Sequence, residues 1–156
     1  MSVHPAITPL LGLVGTWRGP GKGEYPTIEP FDYLEEITLA PGPAKPFLTY
    51  GQRTRAAVDD RPLHTETGFW RALGDGALEL VVAHPTGIVE RLTGHWDGAV
   101  VDLVDDDVAV TPTAKDVTRT SRRFELDGDV LRYRVSMAAV GQPLTHHLAA
   151  ELRRDP

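Results

Sequence analysis

The sequence predicts an all-β protein, an antiparallel up-and-down β-barrel of about ten strands with a short helix at its N-terminus. From Tyr33 onward, apolar residues recur mostly at every second position, as on a strand with one buried face. Turn sequences such as Asp97-Gly98 and Asp127-Gly128 separate these runs, because Asp-Gly adopts the positive backbone torsions of tight hairpins. A long antiparallel series of this kind is expected to close, since closure leaves no strand edge unpaired.

One helix start precedes the strands, in the segment ITPLLGLVG. Thr8 is the predicted N-cap, and Pro9 fits the first helical position, where a backbone N–H has no partner to lose. Two glycines in the segment, Gly12 and Gly15, predict that the helix is short. We expect it to plug one end of the barrel.

The strand pattern is clearest in the segment LRYRVSM. Leu131, Tyr133, Val135 and Met137 alternate with polar residues, so one face is predicted to be buried and the other exposed. The predicted strands are Gly15 to Arg18, Phe31 to Leu39, Pro46 to Arg55, Pro62 to Leu73, Ala77 to His84, Gly87 to Trp96, Ala99 to Val104, Asp116 to Leu126, Val130 to Ala139 and Leu144 to Arg153.

Composition and charge argue against several classes of protein. The 156 residues fit one barrel domain over 1–156, and the absence of cysteine makes a reducing, cytoplasmic compartment the simpler expectation. The net charge of −6 and the dispersed arginines of TRTSRRF do not favour nucleic-acid binding. The sequence has neither the pattern of a secretory leader nor an apolar run long enough to span a bilayer, so no membrane partner is expected.

Histidines are the candidate chemical groups. His64, His84 and the pair His146-His147 lie within or at the ends of predicted strands. Each one alone is more simply a hydrogen-bonded structural histidine than a ligand. No serine lies in a G-x-S-x-G turn and no H-x-H or H-E-x-x-H spacing occurs, so neither a catalytic triad nor a local zinc motif is supported. A three-histidine zinc site would require distant strands to converge.

A block near the N-terminus is a more specific indication of function than the histidines are. The segment GTWRGPG has the form G-x-W-x-G-x-G and is followed directly by GEYPTI. Lipocalins and fatty-acid-binding-like barrels also carry a tryptophan in the first strand, but the extended block resembles the nitrobindin family of haem-binding β-barrels, which are also described as peroxynitrite isomerases. The similarity continues through KPFLTYGQ, PLHTETGFWR, VVAHPTGIVE, LRYRVSM and HHLAAEL.

The resemblance suggests a role for each part of the block. Gly15, Gly19 and Gly21 are expected to let the backbone turn sharply and pack closely. Trp17 is expected to close the barrel floor as a core residue. YPTI is expected to start the next strand, with Thr27 turned toward a ligand.

The resemblance also implies a haem b site. Its proximal axial iron ligand would be His147, in the sequence H-L-A-A. Leu63 and His64 would lie near the pocket, and Met137 would form part of its wall. The family pattern implies glutamine at position 84, so His84 is a departure that changes the polarity of the distal side.

Some pocket roles follow from the chemistry of the side chains. His64 and His84 are candidate distal catalytic residues that could donate a hydrogen bond to a bound anion. Lys22 and Lys115 are candidates to pair with haem propionates, although a solvated surface lysine is the simpler account of each.

Two adjacent histidines compete for the proximal position. Strict alternation places His146 on the more apolar face, with Leu148, and places His147 with Ala149. The resemblance favours His147, because small flanking residues leave room for a flat macrocycle. A β-bulge near Pro143 would shift the alternation in its favour.

The resemblance implies that the chain isomerises peroxynitrite to nitrate at a ferric haem and binds nitric oxide, both as small-molecule partners. Two alternatives stay open: a non-enzymatic carrier of a hydrophobic small molecule, and a nitric oxide sensor or store that uses the same residues. A fatty-acid carrier usually grips the carboxylate with a buried arginine. Arg132 and Arg134 alternate away from Met137, which weakens that alternative. A homodimer is left open.

Overall fold

The computed structural model describes residues 2–156 as a short helix followed by eleven β-strands. The strands are β1 (Gly15–Tyr25), β2 (Ile28–Pro41), β3 (Phe47–Ala56), β4 (Pro62–Gly74), β5 (Ala77–Ala83), β6 (Ile88–His95), β7 (Val100–Asp105), β8 (Ala109–Val110), β9 (Val117–Asp127), β10 (Val130–Ala139) and β11 (Thr145–Arg154).

The strands form a closed antiparallel barrel, so the predicted fold class is confirmed. Neighbours follow the order β5-β4-β3-β2-β1-β11-β10-β9-β7-β6, and pairing of β5 with β6 closes the ring of ten. The two-residue β8 pairs with β6 beside this ring. Gly98 and Gly128 have φ values of 99° and 59°, as the predicted Asp-Gly turns require.

The first strand corrects two predictions. YPTI does not start the next strand, because Tyr25 ends β1 and Thr27 lies in the turn before β2. β1 continues unbroken through Tyr25, so the glycines of GTWRGPG do not form a sharp turn. Their close packing is confirmed: a Cβ at Gly21 would lie 2.3 Å from the ring of Tyr33 on β2. Gly15, with a φ of 142°, supplies a backbone conformation that other residues rarely adopt.

The N-terminal helix begins earlier than predicted. It is a 3₁₀ helix over Pro5–Leu13, and its N-cap is His4, whose Nδ1 accepts a hydrogen bond from the Ala6 N–H at 3.1 Å. Pro9 therefore lies inside the helix, and Thr8 is not the cap. The prediction failed because a histidine ring nitrogen can cap a helix as a hydroxyl can, and Pro5 suits the first helical position as well as Pro9 does.

Two apolar clusters lie toward opposite ends of β1. The larger contains the helix and Trp17, which is fully buried and donates from Nε1 to the Leu13 carbonyl at 2.9 Å, so its predicted core role is confirmed. The smaller contains Tyr25, Val108, Val117 and Ala139, with Ile88 and Met137 packed against it. Within residues 2–156, no helix has the length and apolarity needed to cross a membrane.

Candidate functional site

His147 lies at a β-bulge between β10 and β11. The adjacent residues Val135 and Ser136 on β10 pair with Leu148 and His146 on β11, so His147 is the extra residue between them. A bulge of this kind bends the strand and interrupts the alternation of faces. The interruption expected near Pro143 therefore occurs at the histidine itself.

The ring of His147 is held by two contacts with the end of β1. Its Nδ1 donates to the backbone carbonyl of Glu24 at 2.9 Å, since a carbonyl can only accept. The ring also meets Tyr25 edge-on, with centroids 5.5 Å apart. Tyr25 is fixed in turn by its hydroxyl, which donates to the Met137 carbonyl at 2.9 Å. Within residues 2–156, no hydrogen bond involves Nε2 of His147, which is left as the available ligand atom.

Burial favours the neutral form of this ring. Desolvation lowers the pKa of His147 below its ordinary value of 6.5, although the hydrogen bond to Glu24 opposes the shift. Electrostatic interactions with His146, His64 and Lys115 lower the pKa further. A neutral imidazole with Nδ1 protonated carries its lone pair on Nε2.

The other predicted pocket residues lie at different depths. Met137 packs in the smaller apolar cluster beside Tyr25. Lys115 is exposed, yet close enough for its charge to act on His147. Thr27 lies in the exposed turn between β1 and β2, and Leu63 is 38% exposed.

Two further residues considered from the sequence lie on the exterior. The side chain of His146 is 39% exposed, and its Nε2 lies 3.9 Å from Glu24 Oε1. The ammonium of Lys22 pairs with Asp32 at 3.1 Å, and both side chains are largely exposed.

The predicted distal histidines belong to a buried polar cluster inside the barrel. His64 Nε2 lies 3.0 Å from His84 Nδ1, and His84 Nε2 lies 2.6 Å from Glu90 Oε2. Arg122 lies between two carboxylates: its Nη1 donates to Glu66 Oε1 at 2.6 Å, and it also bonds both oxygens of Glu90. We call these five residues the interior polar cluster.

Charge pairing inside this cluster outweighs burial. Burial raises the pKa of Glu90, but Arg122 overcomes this effect and lowers it to about 2. The same balance holds the pKa of Glu66 well below 4.5. Both carboxylates are therefore ionised, and they share one guanidinium, so these three groups carry one net negative charge.

Sequence reasoning missed Glu66, Glu90 and Arg122. Alternation along the strand offered a signal for Arg122. It lies two positions before Phe124, which is buried, and residues two apart on a strand face the same side. Arg122 is one of the dispersed arginines of TRTSRRF, but it is only 6% exposed, whereas Arg123 faces solvent. Because Arg122 is already bound by two carboxylates of its own chain, it is not available to bind the carboxylate of a fatty acid.

A second buried network surrounds Glu35. Its Oε2 accepts from the Tyr133 hydroxyl and from Gln52 Nε2, both at 2.7 Å, and the hydroxyls of Tyr33 and Tyr133 lie 2.7 Å apart. Burial raises the pKa of Glu35 to about 7 despite these hydrogen bonds. No group within residues 2–156 donates to its other oxygen, Oε1, or to Gln52 Oε1.

A family model described as a THAP4-like, heme-binding beta-barrel domain matches residues 6–154. The chain belongs to this family. The match includes the bulged His147, the smaller apolar cluster and the interior polar cluster. Membership confirms the resemblance found in the sequence and supports a haem cofactor.

Individual members of the family cover almost the whole chain. Peroxynitrite isomerase 2 of Mycobacterium avium (strain 104) is 52% identical in an alignment of 156 positions that covers 97% of this chain and 96% of that protein. Peroxynitrite isomerase 1 of Mycobacterium tuberculosis (strain ATCC 25618 / H37Rv) is 50% identical, covering 96% and 95%. The crystal structure of Rv2717c from M. tuberculosis superposes with a TM-score of 0.92 at 48% identity, covering 99% of this chain and 100% of that one.

Proposed function

We propose that this chain binds haem b through His147 and isomerises peroxynitrite to nitrate. The observation that carries the proposal is the bond from His147 Nδ1 to the Glu24 carbonyl, because it presents Nε2 as a lone-pair donor. Relatives at about half identity that are named peroxynitrite isomerase support the choice of reaction. Family membership supports the choice of cofactor.

The residues around His147 fit a haem on chemical grounds. The donor is a neutral, partly buried imidazole whose other nitrogen is tied to a backbone carbonyl, an arrangement that fixes ring orientation and raises ligand basicity. Tyr25, Val117 and Met137 supply apolar surface at the same end of the barrel. Lys115 provides a positive charge close to the site for a propionate.

Ferric haem held by one protein ligand supplies a Lewis-acid position that takes a small anion. The protein's part would be to supply His147 as the haem ligand and to line the pocket with apolar side chains that limit access of water. Tyr25 restrains the His147 ring through an edge-on contact and is itself anchored to the backbone of β10. Thr27 and Leu63 complete the rim of the pocket in this proposal.

His64 and His84 supply polarity on the distal side. His84 Nε2 donates to Glu90, so Nδ1 accepts the hydrogen bond from His64 Nε2. This leaves His64 Nδ1 as the atom that can face a bound anion. With a proton on Nδ1, the ring would donate a hydrogen bond to an anion bound in the pocket and stabilise its negative charge.

The first test is a haem titration of the full chain, monitored by its Soret absorption. We expect one haem per chain, with binding lost in His147→Ala and retained in His146→Ala, the adjacent exposed histidine. An unchanged Soret band in His147→Ala, or a loss confined to His146→Ala, would refute the proposed ligand.

The second test measures the reaction on the haem-loaded protein. Stopped-flow decay of peroxynitrite and the yield of nitrate should both rise with protein concentration, and His64→Ala and His84→Ala should slow the decay. Equal rates in the parent protein and both variants would remove the distal residues from the mechanism. If nitric oxide binds but peroxynitrite decays at the rate of buffer, the protein is a nitric oxide sensor or store and not an isomerase.

A further inference from the structure

Three ligand atoms of the interior polar cluster converge on one point. His64 Nε2, His84 Nδ1 and Glu66 Oε2 form a triangle with sides of 3.0, 3.4 and 3.5 Å. Each of these atoms carries a lone pair when it is not protonated. Three such atoms repel one another unless a cation lies among them, so their approach requires either a proton or a metal ion at this point.

Two sides of the triangle, at 3.4 and 3.5 Å, match a metal-ligand face, and the 3.0 Å side between the two rings is a hydrogen-bond distance that an ion would lengthen slightly. Ligands at about 2.0–2.2 Å from a tetrahedral Zn²⁺ lie about 3.3–3.6 Å from one another. Two imidazoles and one carboxylate are a donor set that suits divalent first-row transition metals. We propose that His64, Glu66 and His84 form a second metal site, separate from His147, that binds a divalent ion of the Zn²⁺ class.

The surroundings support the ligands in the way that metal sites require. His84 directs Nδ1 toward the triangle while Nε2 donates to Glu90 at 2.6 Å, which is a carboxylate–histidine–metal arrangement. Glu66 uses Oε1 to accept from Arg122 and from the Tyr50 hydroxyl, both at 2.6 Å. Its Oε2 accepts a longer hydrogen bond from Arg122 Nη2, at 3.3 Å, and also faces the two rings.

Charge and access favour occupation. Glu66 and Glu90 outnumber Arg122 by one charge, and this excess negative charge attracts a divalent cation, whose binding leaves neither carboxylate unpaired. The side chain of His64 is 31% exposed, so an ion can reach the triangle from solvent. Binding displaces the proton on His64 Nε2 to Nδ1 of the same ring, so both rings stay neutral.

The sequence provided no such motif, because the site is assembled across the barrel. His64 and Glu66 lie two residues apart on β4, and His84 follows β5, the strand that pairs with β4. The alternation of β4 sends both of its ligands to the same face. The convergence of separate strands that a zinc site requires therefore occurs here, with a carboxylate in place of a third histidine.

Equilibrium dialysis against Zn²⁺, followed by elemental analysis, tests the proposal on the full chain with and without haem. We expect one Zn²⁺ per chain after chelator treatment and reloading, and at least about tenfold weaker binding in His64→Ala and in His84→Ala. Glu90→Gln, which removes the carboxylate behind His84, should weaken binding about 10–100-fold. His95→Ala, at an exposed histidine, should bind Zn²⁺ as the parent does.

His147→Ala separates this proposal from the haem proposal, because it should lose the Soret band and keep its Zn²⁺. Loss of Zn²⁺ in His147→Ala would place the ion at the haem site and overturn the proposal. Failure to bind one equivalent, or equal binding by the parent, His64→Ala and His84→Ala, would also overturn it. Circular dichroism of each variant establishes that weaker binding does not come from unfolding.

Discussion

Arg122 lies between Glu66 and Glu90 in the barrel interior, with Nη1 2.6 Å from Glu66 Oε1 and both partners almost inaccessible to solvent. Arg122 is what allows two carboxylates to be buried next to each other. Removal of one partner from a buried ion pair leaves an uncompensated buried charge. This charge lowers the free energy of unfolding more than the loss of the pair itself does.

Arg122→Met should therefore lower the free energy of unfolding by about 3–5 kcal/mol. Arg123→Met is the matched control, since Arg123 is the next residue on β9 and its pairs with Asp102 and Glu125 are exposed. It should leave the free energy of unfolding nearly unchanged, because exposed ion pairs contribute little to stability. Urea unfolding of both variants at neutral pH measures the difference, and equal costs would mean that the buried cluster is not held by Arg122.

Glu35 should make stability depend on pH. Its pKa is about 7 in the folded chain because burial disfavours the carboxylate, against 4.5 ordinarily. A raised pKa means that the stabilising contribution is complete below pH 4.5 and is lost as pH rises through 7. Glu35→Gln keeps an acceptor for Tyr133 and Gln52 without the charge, so it should be more stable than the parent at pH 8, by about 1–3 kcal/mol.

Thermal or urea unfolding at pH 5 and pH 8 tests this expectation. Glu36→Gln is the control, because Glu36 is the next residue on β2 and pairs on the other face of the strand with Arg18 and Arg53. It should give no gain at pH 8. An advantage of Glu35→Gln that is the same at pH 5 and pH 8 would contradict the titration of Glu35.

Haem retention should fall only in acid. Under the proposed function His147 must be neutral to bind iron, and its pKa lies below 6.5 because the ring is partly buried. Affinity should therefore be constant above pH 6.5 and decline as pH falls through the lower pKa of His147. Soret absorption measured against pH tests this, with His146→Ala expected to show the same midpoint. A decline that begins above pH 6.5 would show that another group controls haem binding.

Two glycines on paired strands should respond differently to alanine. At Gly68 on β4 a Cβ would lie 1.8 Å from the Val81 carbonyl oxygen on β5, so Gly68→Ala must displace backbone and should cost about 1–3 kcal/mol. At Gly51 on β3 a Cβ meets nothing within 4 Å, so Gly51→Ala should be neutral or stabilising by up to about 1 kcal/mol. Comparison of their urea midpoints tests the close approach of β4 and β5, which would be contradicted if both variants unfolded alike.

The barrel could be predicted from the sequence because its causes are local. Alternation of apolar and polar residues and Asp-Gly turns act over two to ten residues, and these repeat along the chain. The strand LRYRVSM, for example, appears in the structure with Leu131 and Tyr133 buried and Arg132 exposed, as predicted. The helix N-cap was missed, because Thr8 and His4 are both able to accept the capping hydrogen bond.

The geometry around His147 depends on contacts between strands that the alternation of apolar and polar residues does not predict. His147 departs from the alternation of β11 because a bulge inserts it between Leu148 and His146, and a bulge depends on how two strands pair. Its partner, the Glu24 carbonyl, is more than a hundred residues away in sequence. Sequence alone determined the family, the fold and the candidate histidines.

Only the tertiary structure decided which charged residues are buried together. Glu66, Glu90 and Arg122 come from three strands, and each one alone looks like an ordinary polar residue in an alternating strand. Barrel closure brings them within hydrogen-bond distance and removes water, so that mutual pairing becomes their only way to remain charged. Burial of charge depends on the closed barrel and not on any one strand. The polar interior could therefore not be predicted from the sequence.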